Sequence, residues 1–159
     1  MDSGILSNHP LLEKAVGDEI AVPSLSSNKI QEDKLQDDVG HGTKVAGIAV
    51  YGDIKRCIEE QRFQPEIWIL SAKVMYRNKM GEPEYDPEEL LEHQLEKAVR
   101  YFVEKYHNCK VINISFGDRY KRMFGNKRQF PLATLIDELA NGLNIVFVIS
   151  AGNLDTKVN

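Results

Sequence analysis

Hydrophobic and polar positions alternate with a clear rhythm over the second half of the chain. Ile67-Trp68-Ile69-Leu70-Ser71-Ala72-Lys73-Val74 predicts a strand, and the polar stretch Arg77 to Asp86, with Gly81 and Pro83, predicts a loop. Asp86-Pro87-Glu88-Glu89 carries helix-start signals: an N-cap aspartate, a proline at the first helical position and acid in the first turn. Leu91, Leu95, Ala98, Val99, Phe102, Val103 and Tyr106 then recur at three- and four-residue steps, one apolar stripe of a helix. Val111-Ile112-Asn113-Ile114-Ser115 predicts a short strand. Pro131 opens a second helix with Leu132, Leu135, Ile136, Leu139, Ala140 and Leu143 on one face, and Gly142 suits its C-cap. Ile145-Val146-Phe147-Val148-Ile149 is continuously apolar, the pattern of a strand buried on both faces.

Strand, helix, strand, helix, strand implies βαβ units with right-handed crossovers. The fold class expected is α/β, a doubly wound and mainly parallel sheet with helices on both faces. Sites in such sheets lie at the carboxyl ends of strands. That rule singles out Ser115-Phe116-Gly117 and Ser150-Ala151-Gly152-Asn153, to which Gly40-His41-Gly42-Thr43, ahead of an apolar helical run, is added. The first 40 residues are less regular, with a serine-rich stretch at Ser24 to Ser27 and a charged one from Gln31 to Asp38.

Composition narrows the function classes. A chain of 159 residues is one domain by length, able to hide about two-thirds of its extended surface. With 42% hydrophobic and 28% charged residues it is not a disordered chain. Twenty basic against 24 acidic residues, net −4, offer no general attraction to nucleic acid or to an anionic membrane. No apolar run approaches the roughly 18 residues of a membrane span. Met1-Asp2-Ser3-Gly4-Ile5-Leu6 lacks the basic and apolar stretches of a signal peptide. Cys57 and Cys109 are expected as free thiols, too few for a structural zinc site.

Three residues could carry chemistry. His41 sits between glycines that let backbone and substrate approach its ring, and a neutral imidazole there can act as a general base. Asp2 precedes Ser3-Gly4, and Asn153 ends the last apolar strand, where its amide could donate to a developing oxyanion. Taken singly, each also fits a plainer role: a surface histidine, a turn aspartate, a turn-capping asparagine.

Their order changes the picture. Asp2-Ser3-Gly4-Ile5 with His9-Pro10 comes first. His41-Gly42-Thr43-Lys44-Val45-Ala46-Gly47-Ile48 follows, then Val111-Ile112-Asn113-Ile114-Ser115-Phe116-Gly117, then Val148-Ile149-Ser150-Ala151-Gly152-Asn153. This set resembles the subtilisin-like serine proteases, the subtilases. The resemblance implies that Asp2 orients the imidazole, that His41 is general base and then acid, and that Asn153 donates to the oxyanion. It implies that Ser115, Phe116 and Gly117 form the extended segment that pairs with substrate backbone, and that Ser150, Ala151 and Gly152 wall the main specificity pocket. No cofactor is implied; Asp37 and Asp38 could ligate structural calcium with loop carbonyls, but no loop has EF-hand spacing and calcium rests on family analogy only.

Two departures from the family pattern matter. The family's nucleophile stands in a Gly-Thr-Ser string well downstream of the asparagine, whereas here six residues follow Asn153 and none is serine. The family aspartate ends an apolar strand, whereas here only Met1 precedes Asp2. The expectation is a partial subtilisin-like catalytic domain over residues 1–159. Its parent would be a serine endopeptidase acting on peptides or proteins, and this chain alone would be inactive. The missing C-terminal part of the same domain becomes a possible partner. The alternatives are a pseudoprotease or peptide-binding module that keeps the groove without the nucleophile, and an unrelated doubly wound ligand-binding domain. Against the last, no phosphate-binding glycine loop is present. Lys44 beside His41 is expected to be solvated. Arg119, Lys121, Arg122, Lys127 and Arg128, interleaved with Tyr120, Phe124 and Phe130, are expected to form a solvated loop rather than a nucleic-acid surface, the alternative being a rim that favours acidic residues in a peptide substrate. The Lys/Glu-rich surface and unpaired cysteines lean towards the cytoplasm, whereas many subtilases are secreted.

Overall fold

The computed structural model describes residues 1–22, 35–117 and 129–151. Its elements run β1 (Val16–Ala21), α1 (His41–Tyr51), α2 (Ile54–Glu59), β2 (Ile69–Lys73), β3 (Tyr76–Arg77), β4 (Pro83–Glu84), α3 (Leu91–Lys105), β5 (Val111–Ile114), α4 (Pro131–Leu143) and β6 (Val146–Ile149). Helices and parallel strand pairs make this an α/β chain. The described strands form three pairs rather than one continuous sheet: β1 with β2 and β5 with β6, both parallel, and a small antiparallel β3–β4 hairpin.

Met1 and Asp2 lie between the two parallel pairs. The Asp2 N–H donates to the Ala72 carbonyl and the Val74 N–H to the Asp2 carbonyl, at 3.1 and 2.8 Å. On the other side the Met1 ammonium donates to the Asn113 carbonyl at 2.7 Å and the Ser115 N–H to the Met1 carbonyl at 3.3 Å. These two residues thus act as a short strand shared by β2 and β5. Beyond them, the space between the two strands is a cavity of about 650 Å³. It is lined by Ile69 and Leu70 of β2, Val111 and Ile112 of β5, Ala46 of α1 and Phe102 of α3.

Three clusters of buried side chains support this frame. The largest joins Val74, Leu95 and Val99 of the α3 stripe, Ile112, Ile114 and Leu139. A second packs α1 through Ala46 and Val50 onto Ile5, Leu12 and Ala15. Ala72, Ala98 and Phe102 form the third, between β2 and α3. Burying such a stripe is what holds a helix of this length in place, since its own propensity is marginal.

Several expectations need correction. α3 begins at Leu91, not at Asp86, and its N-cap Leu90 gives no side-chain bond. Asp86 instead accepts from the Glu88 N–H at 2.9 Å in a turn of its own, a local bond that competes with helix. The buried Gln94 amide reaches back to the Asp86 and Glu89 carbonyls and ties that turn to the helix. The loop expected from Arg77 to Asp86 contains the β3–β4 hairpin, where Asn78 Oδ1 accepts from Met80 and Glu82 N–H groups. α4 starts at Pro131 as the proline predicts, but Asn144, left-handed at φ 52°, closes it rather than Gly142. β6 is not buried on both faces: Val146 is 61% and Val148 50% exposed. Phe147 faces the core, and among the described residues no element covers the opposite face of this strand.

Candidate active site

His41 is the first residue of α1, and Asp2 enters from the edge of β2. Both elements are pulled together at a backbone contact that only glycine permits. A Cβ on Gly42 would lie 2.1 Å from the Gly4 carbonyl oxygen and 3.1 Å from the Asp2 Cβ. Gly4 itself has φ +90° and packs on the Leu35 carbonyl, a conformation that suits glycine. The two glycines let the start of α1 close directly onto the Asp2–Ile5 segment.

The result is an imidazole–carboxylate pair. His41 Nδ1 lies 2.9 Å from both Asp2 Oδ1 and Oδ2. The Asp2 side chain is 8% exposed and that of His41 52%. Asp2 Oδ1 also accepts from the Ser3 N–H at 2.7 Å. With Nδ1–H donated to the carboxylate, Nε2 is left as the ring atom able to take a proton. A buried carboxylate behind a half-exposed imidazole is the arrangement of a base and its orienter.

The loop from Leu35 to Gly40 is fastened on both sides of this pair. Asp37 Oδ2 accepts from the Thr43 N–H and Oγ1–H at 2.8 and 2.6 Å, and its Oδ1 accepts from the Gly40 N–H at 2.7 Å. Burial pushes the Asp37 carboxyl up, but the bonds from Thr43, Ser3 and Gly40 outweigh it and hold it below the ordinary carboxylate range. Buried Lys73, at the end of β2, donates to the Gln36 carbonyl at 2.7 Å and pairs with Asp38 at 3.1 Å. Asp37 and Asp38, considered above for calcium, thus spend their oxygens on N–H and O–H donors. Among the described residues no group of three His, Cys, Asp or Glu side chains could hold a metal ion.

The remaining expected site residues fall at the carboxyl ends of β5 and β6. Ser115 is half-buried beside Met1. Phe116 is buried and meets Tyr85 edge-on with ring centroids 5.6 Å apart, so its side chain belongs to the core. Gly117 is exposed. Ser150, whose N–H donates to the Ile114 carbonyl at 3.0 Å, and Ala151 are exposed one strand further along. Gly152 and Asn153 lie outside the described residues, as do Arg119, Lys121, Arg122, Lys127 and Arg128. Lys44 is exposed. Cys57 and Cys109 are free thiols. No helix among the described residues is long and apolar enough to cross a membrane.

Compared with models of protein families, the whole chain, residues 1–159, matches that of the Subtilase family. The chain belongs to the subtilase family. Subtilases are serine proteases, hydrolases whose substrates are peptides and proteins. No curated protein matches this subtilase chain at a significant level. Sequence reasoning missed three residues around its site: Ser3, the role of Asp37, and Lys73. An aspartate shortly ahead of a helix start is a capping signal that could have pointed to Asp37. Nothing local marks Lys73, which becomes a clamp only because β2 ends against the loop.

Proposed function

We propose that residues 1–159 carry the acid–base half of a doubly wound, subtilisin-type serine endopeptidase domain. Asp2 holds the His41 ring with Nδ1–H towards its carboxylate. Nε2 takes the proton of a serine hydroxyl as that oxygen attacks the scissile carbonyl. Asp2 stabilises the imidazolium that forms, and the proton then passes to the leaving amine. A water repeats the cycle and frees the acyl group. Positioned proton transfer of this kind contributes about 10²–10⁴ in rate. Asn153 donates to the oxyanion, the Ser115–Gly117 backbone pairs with substrate, and Ser150, Ala151 and Gly152 line the specificity pocket. In this reading the nucleophile belongs to chain outside residues 1–159, since no serine here stands in a Gly-Thr-Ser string.

The observation that carries the reading is the 2.9 Å approach of His41 Nδ1 to both oxygens of a buried carboxylate 39 residues earlier in the chain. It is tested by sequencing the coding DNA on both sides of this frame and expressing the extended chain. A serine-directed fluorophosphonate is expected to label that chain and not residues 1–159 alone. Asp2→Asn in the extended chain should cut turnover on the order of 10⁴-fold, the size typical of a triad imidazole held in the wrong tautomer. A stop after Asn159 with no partner frame encoding the serine, or labelling that survives His41→Ala, would overturn the proposal. The first outcome would favour the peptide-binding alternative.

A further inference from the structure

One hydroxyl beside the pair has a single proton and two carboxylates within reach. Ser3 Oγ lies 2.7 Å from Asp37 Oδ1 and 3.2 Å from Asp2 Oδ1. It also accepts from the Gly42 N–H at 3.2 Å. A hydroxyl bonded to a carboxylate sits at about 2.5–2.7 Å, so the shorter contact is the one that holds the proton. Asp37 is built to win it. Its Oδ1 is fixed by the Val39 and Gly40 N–H groups at 3.1 and 2.7 Å, and its Oδ2 by Thr43.

We propose that Asp37 is a positioning residue for the His41–Asp2 pair, drawing the Ser3 hydroxyl proton away from Asp2 while it anchors the first turn of α1. This inference rests on reading Asp2 and His41 as the catalytic pair. Donors that share one carboxylate oxygen compete for its charge and lone pairs, so an added donor weakens the others. With Asp37 holding that proton, the donors to Asp2 Oδ1 among the described residues are the Ser3 N–H at 2.7 Å and the imidazole at 2.9 Å, and the hydroxyl stays at the longer 3.2 Å. Without it, the Ser3 hydroxyl turns to Asp2 and competes with His41 Nδ1–H. The neighbouring charges do not substitute for Asp37: Asp38 is held by Lys73 Nζ and the Arg77 N–H, and Lys44 is exposed on α1.

The test uses the 159-residue chain with ¹⁵N-labelled histidine and needs no turnover. The His41 Nδ1–H proton resonance reports its bond to Asp2, moving downfield as that bond strengthens. Asp37→Asn is expected to move it upfield, and adding Ser3→Ala to that variant should bring it back. Ser3→Ala alone should leave it near the wild-type position. A double variant that stays where Asp37→Asn lies would mean that Asp37 is only a helix cap, and would overturn the proposal. If Asp37→Asn does not fold, Ser3→Ala alone decides: a downfield shift would place the proton on Asp2 and refute the inference. Asp2→Asn separates the two levels. Should it leave the resonance unmoved, the catalytic-pair reading falls. Should it shift the resonance while the Asp37 and Ser3 variants do not respond as expected, only the role of Asp37 falls.

Discussion

At Gly42 the site depends on a missing side chain. A methyl group 2.1 Å from the Gly4 oxygen meets backbone, which cannot rotate away as a flexible side chain would. Gly42→Ala is therefore expected to cost about 3 kcal/mol, the upper end for overpacking, and to lower the melting temperature. Because α1 must back away from Asp2, the Nδ1–carboxylate bond should lengthen as well. A variant that melts with the wild type would show that the contact is relaxed in solution. At this scale the sequence was legible where chemistry is local. The His41-Gly42-Thr43 string could be read directly, because glycines beside a histidine have a steric meaning. Its partner Asp2 could be read only through the order of several strings. Ser3 stands between two carboxylates because Asp37, 34 residues later in the chain, meets it beside its neighbour Asp2, which no spacing encodes.

The helices show where periodicity suffices and where it does not. The α3 stripe read from Leu91 to Tyr106 is the one that packs, with Leu95, Ala98, Val99 and Phe102 buried. Leu95→Ala is expected to destabilise the chain by about 2–5 kcal/mol, read as a lower urea midpoint with an unchanged slope. A loss below about 1 kcal/mol would mean that the cluster collapses around the gap. The start of α3 was not legible, since Asp86-Pro87 satisfies the statistics of a helix cap and of a turn equally well, and the bond to Glu88 settles it. β1 escaped notice because Val16-Gly17-Asp18-Glu19-Ile20-Ala21 has no clean alternation. It is held by pairing with β2 and by Asp18, which accepts from Lys105 and Tyr106 at 2.8 and 2.9 Å. The continuous apolar run of β6 reports hydrophobicity without saying how many neighbours cover the strand.

In the molecule as a whole, Met1 and Asp2 bridge the two parallel pairs by backbone hydrogen bonds, and the ammonium of Met1 is the weak point of that junction. Burial lowers it to about 6 from an ordinary 8.0, against the opposing attraction of Asp2. Between those values the unfolded chain binds a proton that the folded chain does not, so stability should rise as pH increases from about 6 to 8.0. Residues joined ahead of Met1 would replace the ammonium by an amide. They would also run between Leu70 on one side and Val111 and Asn113 on the other, which line the 650 Å³ cavity. A chain extended there by a short apolar strand should melt higher and lose that part of the pH dependence. Equal profiles for the two chains would refute the assignment. The same junction orders events in time. Met1 bonds Asn113 across 112 residues and Asp2 bonds His41 across 39, whereas the helices close over three and four. Contacts between distant parts of a chain carry the greater loop-closure entropy and form late. The carboxylate would thus reach the imidazole near the end of folding, and a chain stalled before that step would hold most of its helices while lacking the His41–Asp2 pair.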